Sequence, residues 1–538
     1  MIIAKQLDRA AQIPVCDRSN NIKRQINSAS PGRNICRKLP LIGLFILLVS
    51  VSNTHAQQLS FDQIKITDTL VAVDNTDKAK RLAGALPGDS TSSYPSRTGQ
   101  RNEPIGSAPV TSQSTSPAPE SSEPPRRAKP APLDSVFPSS EYIGPTIGVP
   151  DTDPVYPLTK AIWDHSEFMK RNRIKVYGWV NPGVSFSTSR DSNIPQTYSI
   201  VPNRLELDQA VLRFERVPDT VQTDHVDWGF RLTSMYGIDY RWTTAQGYFS
   251  GQLLRRNQLY GYDPVEMYGL IYFPQVAKGM VLKFGRYISP PDIEAQLAPD
   301  NYLFTHSVMF DYDAYTNTGI LASIKLDEQW QIQLGIHAGK DVAPWGAGAH
   351  PSFQAMARWV SKNNNDSLYG GIASLNNGRF KGNLDNLNQF NLTWTHRFNE
   401  KGTFLTTTEA YYLQTSGARV GGSVINGPPK RWFTNVGIGA PIQGNAPAVG
   451  IVNYTEIKLS KKDFLSLRPL DILDDKKGER SGFATTIESW TIGLTHRFSD
   501  LISTRPEARF EHAYSAKPYD NGTRRNQFTF AIDVIARF

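Results

Sequence analysis

From residue 172 to the C-terminus the chain alternates apolar and polar positions with a period of two. In QWQIQLGIHAGK, Trp330, Ile332, Leu334, Ile336 and Ala338 fall on one side, and Gln329, Gln331, Gln333, Gly335 and His337 on the other. HVDWGFRLTSMYG sets Val226, Trp228, Phe230 and Leu232 against Asp227, Gly229, Arg231 and Thr233. The final segment, QFTFAIDVIARF, sets Phe528, Phe530, Ile532, Val534, Ala536 and Phe538 against Gln527, Thr529, Asp533 and Arg537. Successive side chains of a strand point to opposite faces, so each segment predicts a strand with one apolar and one polar face. A soluble sandwich turns the apolar face inward. A transmembrane barrel turns it toward lipid.

Three features favour the barrel. Connectors alternate in length along the chain. The short ones include 274–279, 362–366, 399–402, 460–463 and 499–501, and the long ones include 237–262, 287–315, 340–352, 376–388, 414–446 and 515–525. Outer-membrane barrels have short periplasmic turns and longer external loops, whereas a sandwich has no reason to sort its loops this way. A strand ending also recurs: LRF (212–214), IKL (324–326), HRF (396–398), IKL (457–459), HRF (496–498) and ARF (536–538) each hold a basic residue between two others. All fall on strands descending toward the short turns, with the basic residue inward and the last residue at the membrane edge, where aromatic members would form a girdle. Finally, the sequence stops on Phe538 within an alternating strand, like the C-terminal strand that such barrels present to their assembly machinery. The expectation is an all-β protein: a transmembrane antiparallel β-barrel of about 16 strands over 173–538, with strand interruptions at Pro182 and Pro469.

Upstream, Arg33, Arg37 and Lys38 precede the apolar run LPLIGLFILLVSVS (39–52), and Thr54-His55-Ala56 follows it. This predicts a secretory signal over 1–56, cleaved after Ala56. Composition reads differently once that leader is set aside. The whole chain carries 58 Lys+Arg against 50 Asp+Glu, but residues 1–56 hold eight and two of these, leaving 50 against 48. A nucleic-acid footprint is therefore not supported. Both cysteines, Cys16 and Cys36, also lie in the leader, which excludes thiol chemistry and Cys-ligated zinc from the remainder. Residues 86–150 contain 13 of the 36 prolines among many Ser and Thr, so 57–150 is expected to be a disordered periplasmic arm, with 151–172 a short pre-barrel segment.

KVYGWVNPGVSFS resembles the opening strand of bacterial porins. GRYISPP followed by N-x-L-F-T-H-S, and RPEARFEHAYS followed by YDNG and the terminal strand, resemble the OmpL-like β-barrel porins over roughly 170–538. The resemblance implies an outer-membrane pore of a Gram-negative-type bacterium and names no solute. Trimers are common among the resembling porins, but no homo-oligomer interface stripe is legible in this sequence.

The function expected is a channel for small polar solutes or ions, with outer-membrane lipid around it and the barrel-assembly machinery engaged through the strand ending at Phe538. The alternative is a barrel serving as an anchor or adhesive surface. By alternation the pore-lining candidates are Arg231, Lys325, Gln331, Gln333, Glu409, Arg505, Glu507, Arg509 and Glu511, with Arg213, Glu456 and Arg537 also inward. Charges of both signs on a wall either set a transverse field that orients solutes or brace the wall as ion pairs. The 287–315 connector is the expected constriction, through Asp292, Glu294, Asp300, Asp311 and Asp313, with AQLAPDN as a short helical turn and the 414–446 loop as competitor. His306-Ser307 and His512 beside Glu511 supply hydrolase atom types, but no spacing ties them together, so no enzyme, catalytic residue, metal site or cofactor is expected.

Overall fold

The computed structural model describes residues 147–538 apart from 152, 290–292, 381–385, 400 and 422–438. The expected signal segment, nearly all of the arm, Asp292 and the middle of the 414–446 loop lie outside these residues.

The strands form one antiparallel sheet that closes on itself, β1 (Lys175–Ser187) pairing with both β2 (Leu205–Arg216) and β17 (Asn526–Arg537). The order follows the sequence throughout: β3 (Asp227–Gly237), β4 (Gly261–Phe273), β5 (Met280–Ile288), β6 (Thr316–Lys325), β7 (Trp330–Lys340), β8 (Ser352–Val360) and β9 (Asp366–Leu375). It continues with β10 (Asn388–Arg397), β11 (Phe404–Ser416), β12 (Asn445–Lys458), β13 (Asp463–Asp475), β14 (Thr485–Arg497), β15 (Ile502–Thr504) and β16 (Glu507–Ala513). The last two keep one continuous register against β14 and β17, interrupted only at Arg505-Pro506, so they are halves of one spanning strand and the barrel has 16. Phe538 closes the seam, exchanging backbone hydrogen bonds with Gly178 at 2.9 and 3.2 Å.

Burial runs opposite to that of a soluble protein. The outer face exposes Phe186, Trp228, Phe284, Ile320, Ile336, Ile492 and Phe528, while inward Gln333, Glu409, Arg468, Arg509 and Asp533 are buried. A closed barrel leaves no sheet edge unpaired in lipid, which makes this inversion tenable. The recurrent strand ending behaves as its sequence implies. Phe214, Leu326, Phe398, Leu459, Phe498 and Phe538 are exposed, and Phe398 stacks on Phe404 at 4.3 Å between centroids.

The prolines act where expected. Register shifts occur at Asn181/Pro182 in β1 and around Pro469 in β13, against both neighbours of that strand. Proline cannot donate to the ladder, and the extra residue of a bulge absorbs the mismatch. The bulge at Pro469 has a further effect. Arg468 and Asp471, three apart, would face opposite sides of a regular strand, yet both point inward and are fully buried.

Before the barrel, α1 (Pro157–His165) starts with proline at its first turn, and α2 (Glu167–Arg171) is capped by Ser166, whose Oγ accepts from the Met169 amide at 3.4 Å. These helices seat on the base of β1. Thr159 Oγ1 donates to the Val176 carbonyl at 2.6 Å and accepts its amide at 3.0 Å, and Trp163 Nε1 donates to the Ile174 carbonyl at 2.7 Å.

Candidate functional site

The connector between β5 and β6 folds into the lumen. Among its described residues it has two 3-10 turns, Ala298–Asp300 within the expected helical turn and Phe310–Tyr312, and otherwise no regular structure. Such a segment carries backbone N–H and C=O groups that nothing local satisfies, and leaving them bare would be costly. The wall of β10–β17, with β2, supplies partners along 293–313, and Asp341, just after β7, accepts from Tyr315 N at 3.1 Å.

Carboxylates take the amides. Glu409 accepts from Ile293 N at 2.6 Å, Glu507 from Phe304 N and Thr305 N at 2.9 and 3.1 Å, and Asp471 from Val308 N and Met309 N at 2.9 and 3.3 Å. Guanidinium groups take the carbonyls. Arg505 Nη1 reaches Ala298, Asn301 and Leu303 at 2.8, 3.0 and 2.9 Å, and Arg468 Nη1 reaches Thr305 at 2.9 Å. Arg509 donates to the His306 carbonyl, and Arg480, in the β13–β14 connector, to Tyr312 and Asp313 at 2.8 and 3.2 Å. Gln209 on β2 accepts from Ala298 N at 3.0 Å and donates to the Gln296 carbonyl at 2.8 Å. Charge-assisted bonds are roughly twice as strong as neutral ones. The mixed signs on this wall therefore match the two kinds of backbone group they hold.

The wall residues also hold one another. Arg505 pairs with Asp533, Arg509 with Glu511 at 2.8 Å, and Arg468 Nε lies 3.5 Å from Asp471. Glu456 is buried and accepts from Ser466.

Each acidic candidate of the connector has a distinct place. Glu294 accepts from Ser307 N, Ser307 Oγ and Tyr454 OH, and lies 3.4 Å from Arg468. Asp311 accepts from Thr197 N at 3.2 Å and lies 3.9 Å from Arg509. Asp313 accepts from Gln389, and Asp300, in the first 3-10 turn, is half-buried, as is Pro299, where 293–298 are buried. His306 stacks between Tyr198 and Phe310 at 3.9 and 4.7 Å, and burial drives its pKa down to about 3, so it is neutral. Ser307 Oγ donates to Glu294, and His512 is on the outer face beside Asn526, so the two hydrolase-like pairs do not meet.

The other wall, β3–β9, differs. Arg231 pairs with Glu215 at 2.9 Å and Glu266 at 3.5 Å, and Arg213 on β2 pairs with Glu266 at 3.0 Å. Lys283 lies 4.7 Å over the Tyr268 ring, and Gln333 donates to Ser323 Oγ at 3.1 Å. Gln331 stands opposite both Lys325 and Arg358 in the ladder. Arg505, Glu507, Arg509, Glu511 and Glu409 therefore share the wall beneath the connector, whereas Arg231, Lys325, Gln331 and Gln333 share the other.

Sequence reasoning did not single out Arg468, Asp471 or Arg480. The first two sit across a bulge that breaks the period, and Arg480 is in a loop with none. Lys283 was legible from VLKFGRY, where it alternates with Phe284.

A closed 16-stranded barrel with a connector folded inside defines the porin class of outer-membrane channel. A family model described as "Putative beta-barrel porin-2, OmpL-like" matches residues 173–538, more than half of the chain, and the protein belongs to that family. It is a porin-like channel of the Gram-negative outer membrane, and family and fold point to a channel rather than an enzyme. Among solved structures it is similar to an anion-selective porin from Comamonas acidovorans, at 10% identity over 68% of this chain and 99% of that one, with a TM-score of 0.43. Pseudomonas putida OprB gives 10% identity over 72% and 99%, with a TM-score of 0.43. The outer-membrane channel DcaP of Acinetobacter baumannii gives 11% over 68% and 97%, with a TM-score of 0.40. No curated protein matches by sequence.

Proposed function

We propose that small polar solutes or ions cross through the part of the lumen bounded by β3–β9, on the side away from the wall that holds the connector. One observation carries this reading. Apart from Tyr315 N, which donates to Asp341 just after β7, the connector's backbone bonds named above run to β2 and to the β10–β17 side, while inward Arg231, Lys283, Lys325, Gln331 and Gln333 give the other side a polar, net basic face. Glu294, Asp300, Asp311 and Asp313 make the connector the constriction element, with Asp300 the acid best placed to meet solute. The purified chain in a planar bilayer should give stepwise ion currents. A silent bilayer at every voltage would leave the barrel as an anchor or adhesive surface.

Assembly in this reading proceeds through the terminal strand. Phe538 is exposed and pairs with Gly178 at the seam. A chain ending at Arg537 should be exported normally but reach the outer membrane in reduced yield. Normal yield would remove the terminal residue from recognition by the assembly machinery.

A further inference from the structure

The β3–β4 and β7–β8 connectors are both long, which puts them at the external end of the barrel. They join side by side: Gln246 N donates to the Asp341 carbonyl and Ala343 N to the Gln246 carbonyl, each at 2.8 Å. Trp345 Nε1 adds a bond to the Gly247 carbonyl at 3.2 Å. The approach is close enough to require glycine on both sides. A Cβ at Gly247, whose φ is +100°, would fall 2.7 Å from that of Ala343, and one at Gly346 would fall 2.8 Å from Val342 Cγ2. Between the two connectors lies a cleft of about 760 Å³. Arg255 and Arg256 line it, just after a single helical turn, Gly251–Leu254, and both of their amides donate to the Gly251 carbonyl, at 3.2 and 3.3 Å. Beyond them the Gln258 carbonyl accepts from Tyr240 OH at 2.6 Å and from Arg241 Nη1 at 2.5 Å. The backbone is thus held on both sides of the pair. Both guanidinium groups are exposed and make no hydrogen bond or ion pair with any described residue. No Asp or Glu is among the described residues that line the cleft.

We propose that this cleft binds the phosphorylated head group of a lipid in the outer leaflet, with Arg255 and Arg256 holding the phosphate. Continuity with the lipid-facing surface is the first argument. Tyr236 is exposed on the outer face of β3, opposite Tyr262, whose hydroxyl lies 3.1 Å from Ser234 Oγ on the same face. Phe249, in the cleft wall and 65% exposed, meets the Tyr262 ring edge-on at 5.4 Å. Trp345, 68% exposed, stands edge-on to Tyr248 at 5.1 Å. Aromatic rings gather where the apolar band of a barrel meets the head groups, so this end of the cleft opens at that level. Charge is the second argument. Two adjacent cations face the cleft with no carboxylate to answer them, and the planar guanidinium matches two phosphate oxygens at once. Basic pockets beside a lipid-facing surface bind anionic head groups for this reason. A phosphate dissolved in water would meet the arginines but leave Phe249 and Trp345 bare, whereas a lipid covers both. Binding here does not require an open lumen.

The full-length chain, purified in detergent, is titrated with bisphosphorylated lipid A, with lipid A stripped of its phosphates, and with inorganic phosphate, and bound ligand is counted by native mass spectrometry. The intact chain should bind the phosphorylated lipid about tenfold tighter than the stripped one. The Arg255→Gln/Arg256→Gln variant should lose that preference, and Arg255→Lys/Arg256→Lys should keep part of it, because an ammonium group retains the charge without the fork. Phe249→Ala should weaken binding of both lipids alike. All three side chains are exposed, so each variant should keep the heat-modifiable mobility of a folded barrel. Equal affinity of the intact chain for both lipids, or an unchanged preference in the glutamine variant, overturns the proposal. Inorganic phosphate that binds as tightly as the phosphorylated lipid overturns the lipid as occupant and makes the cleft a site for free anions. A glutamine variant that loses self-association and keeps its lipid preference overturns it too, and makes the cleft a contact between copies of the chain.

Discussion

Arg505 and Lys325 are both cations on the inner face of the barrel, and they meet different partners. Arg505 spends one nitrogen on three connector carbonyls and the others on Asp533, and is buried. Lys325 stands opposite Gln331, with the Ile147 carbonyl at 3.4 Å. Arg505 acts as part of a scaffold for an irregular loop. Lys325 contributes charge to a polar surface. The lesson concerns the wall charges of this barrel. Here Arg505 is engaged by three connector carbonyls at once, whereas Lys325 meets the carbonyl of Ile147.

The largest expected effect comes from reversing charge under the connector. Replacing Arg505 and Arg509 with Glu would deprive Asp533 and Glu511 of their counter-charges and the carbonyls of Ala298, Asn301, Leu303 and His306 of their guanidinium donors. Breaking one buried ion pair costs about 3–5 kcal/mol. The double variant should fail to reach the compact heat-modifiable form on gels, with Arg505→Lys losing less. A well-folded double variant with a shifted reversal potential would break the comparison, because these residues would then face the ion path.

A smaller effect is expected on the lipid side. Ile532 lies on the outer face of β17, opposite Val184. Ile532→Arg should make insertion less favourable by roughly 2–4 kcal/mol near the midplane. Its connector would stay seated once folded, so the variant that does insert should keep normal selectivity. That separates loss of insertion from loss of loop seating. Normal folding yield would place Ile532 away from lipid.

Much of this was legible because a strand's period is two and a barrel has only two faces. Gln331, Gln333, Arg505 and Glu507 could be assigned inward from the sequence, and Phe398 and Phe498 outward. The strand interruptions were legible too, since proline at 182 or 469 cannot donate to a ladder. What Pro469 does to facing was not. Its bulge brings Arg468 and Asp471 to one side, and a fixed alternation assigns one of them to lipid. The role of the RPEARFEH charges was also hidden. Their inward facing follows from local pattern, but Arg505, Glu507 and Arg509 bind backbone groups of residues about 200 positions away, as in the Arg505–Leu303 bond.

The smallest expected change tests the opposite wall. Replacing Lys283 and Lys325 with Glu changes the charge of this wall by four units. Lys283 gives up cation–π contacts with Tyr268 and Tyr287, about 2 kcal/mol each when desolvated, which is less than the roughly 3–5 kcal/mol of a broken buried ion pair. The barrel should therefore assemble, since lumen substitutions tune selectivity more than stability. Ions passing within a Debye length, about 8 Å at physiological salt, would feel the reversal. The reversal potential in a salt gradient should shift toward cation preference, and more so at low salt, where screening weakens. Two results would undo the contrast between the walls. An unchanged reversal potential with intact conductance would route the ions elsewhere. A loss of assembly as severe as that of the Arg505 and Arg509 variant would mean that both walls are structural, and that Lys283 and Lys325 hold buried chain as their counterparts do.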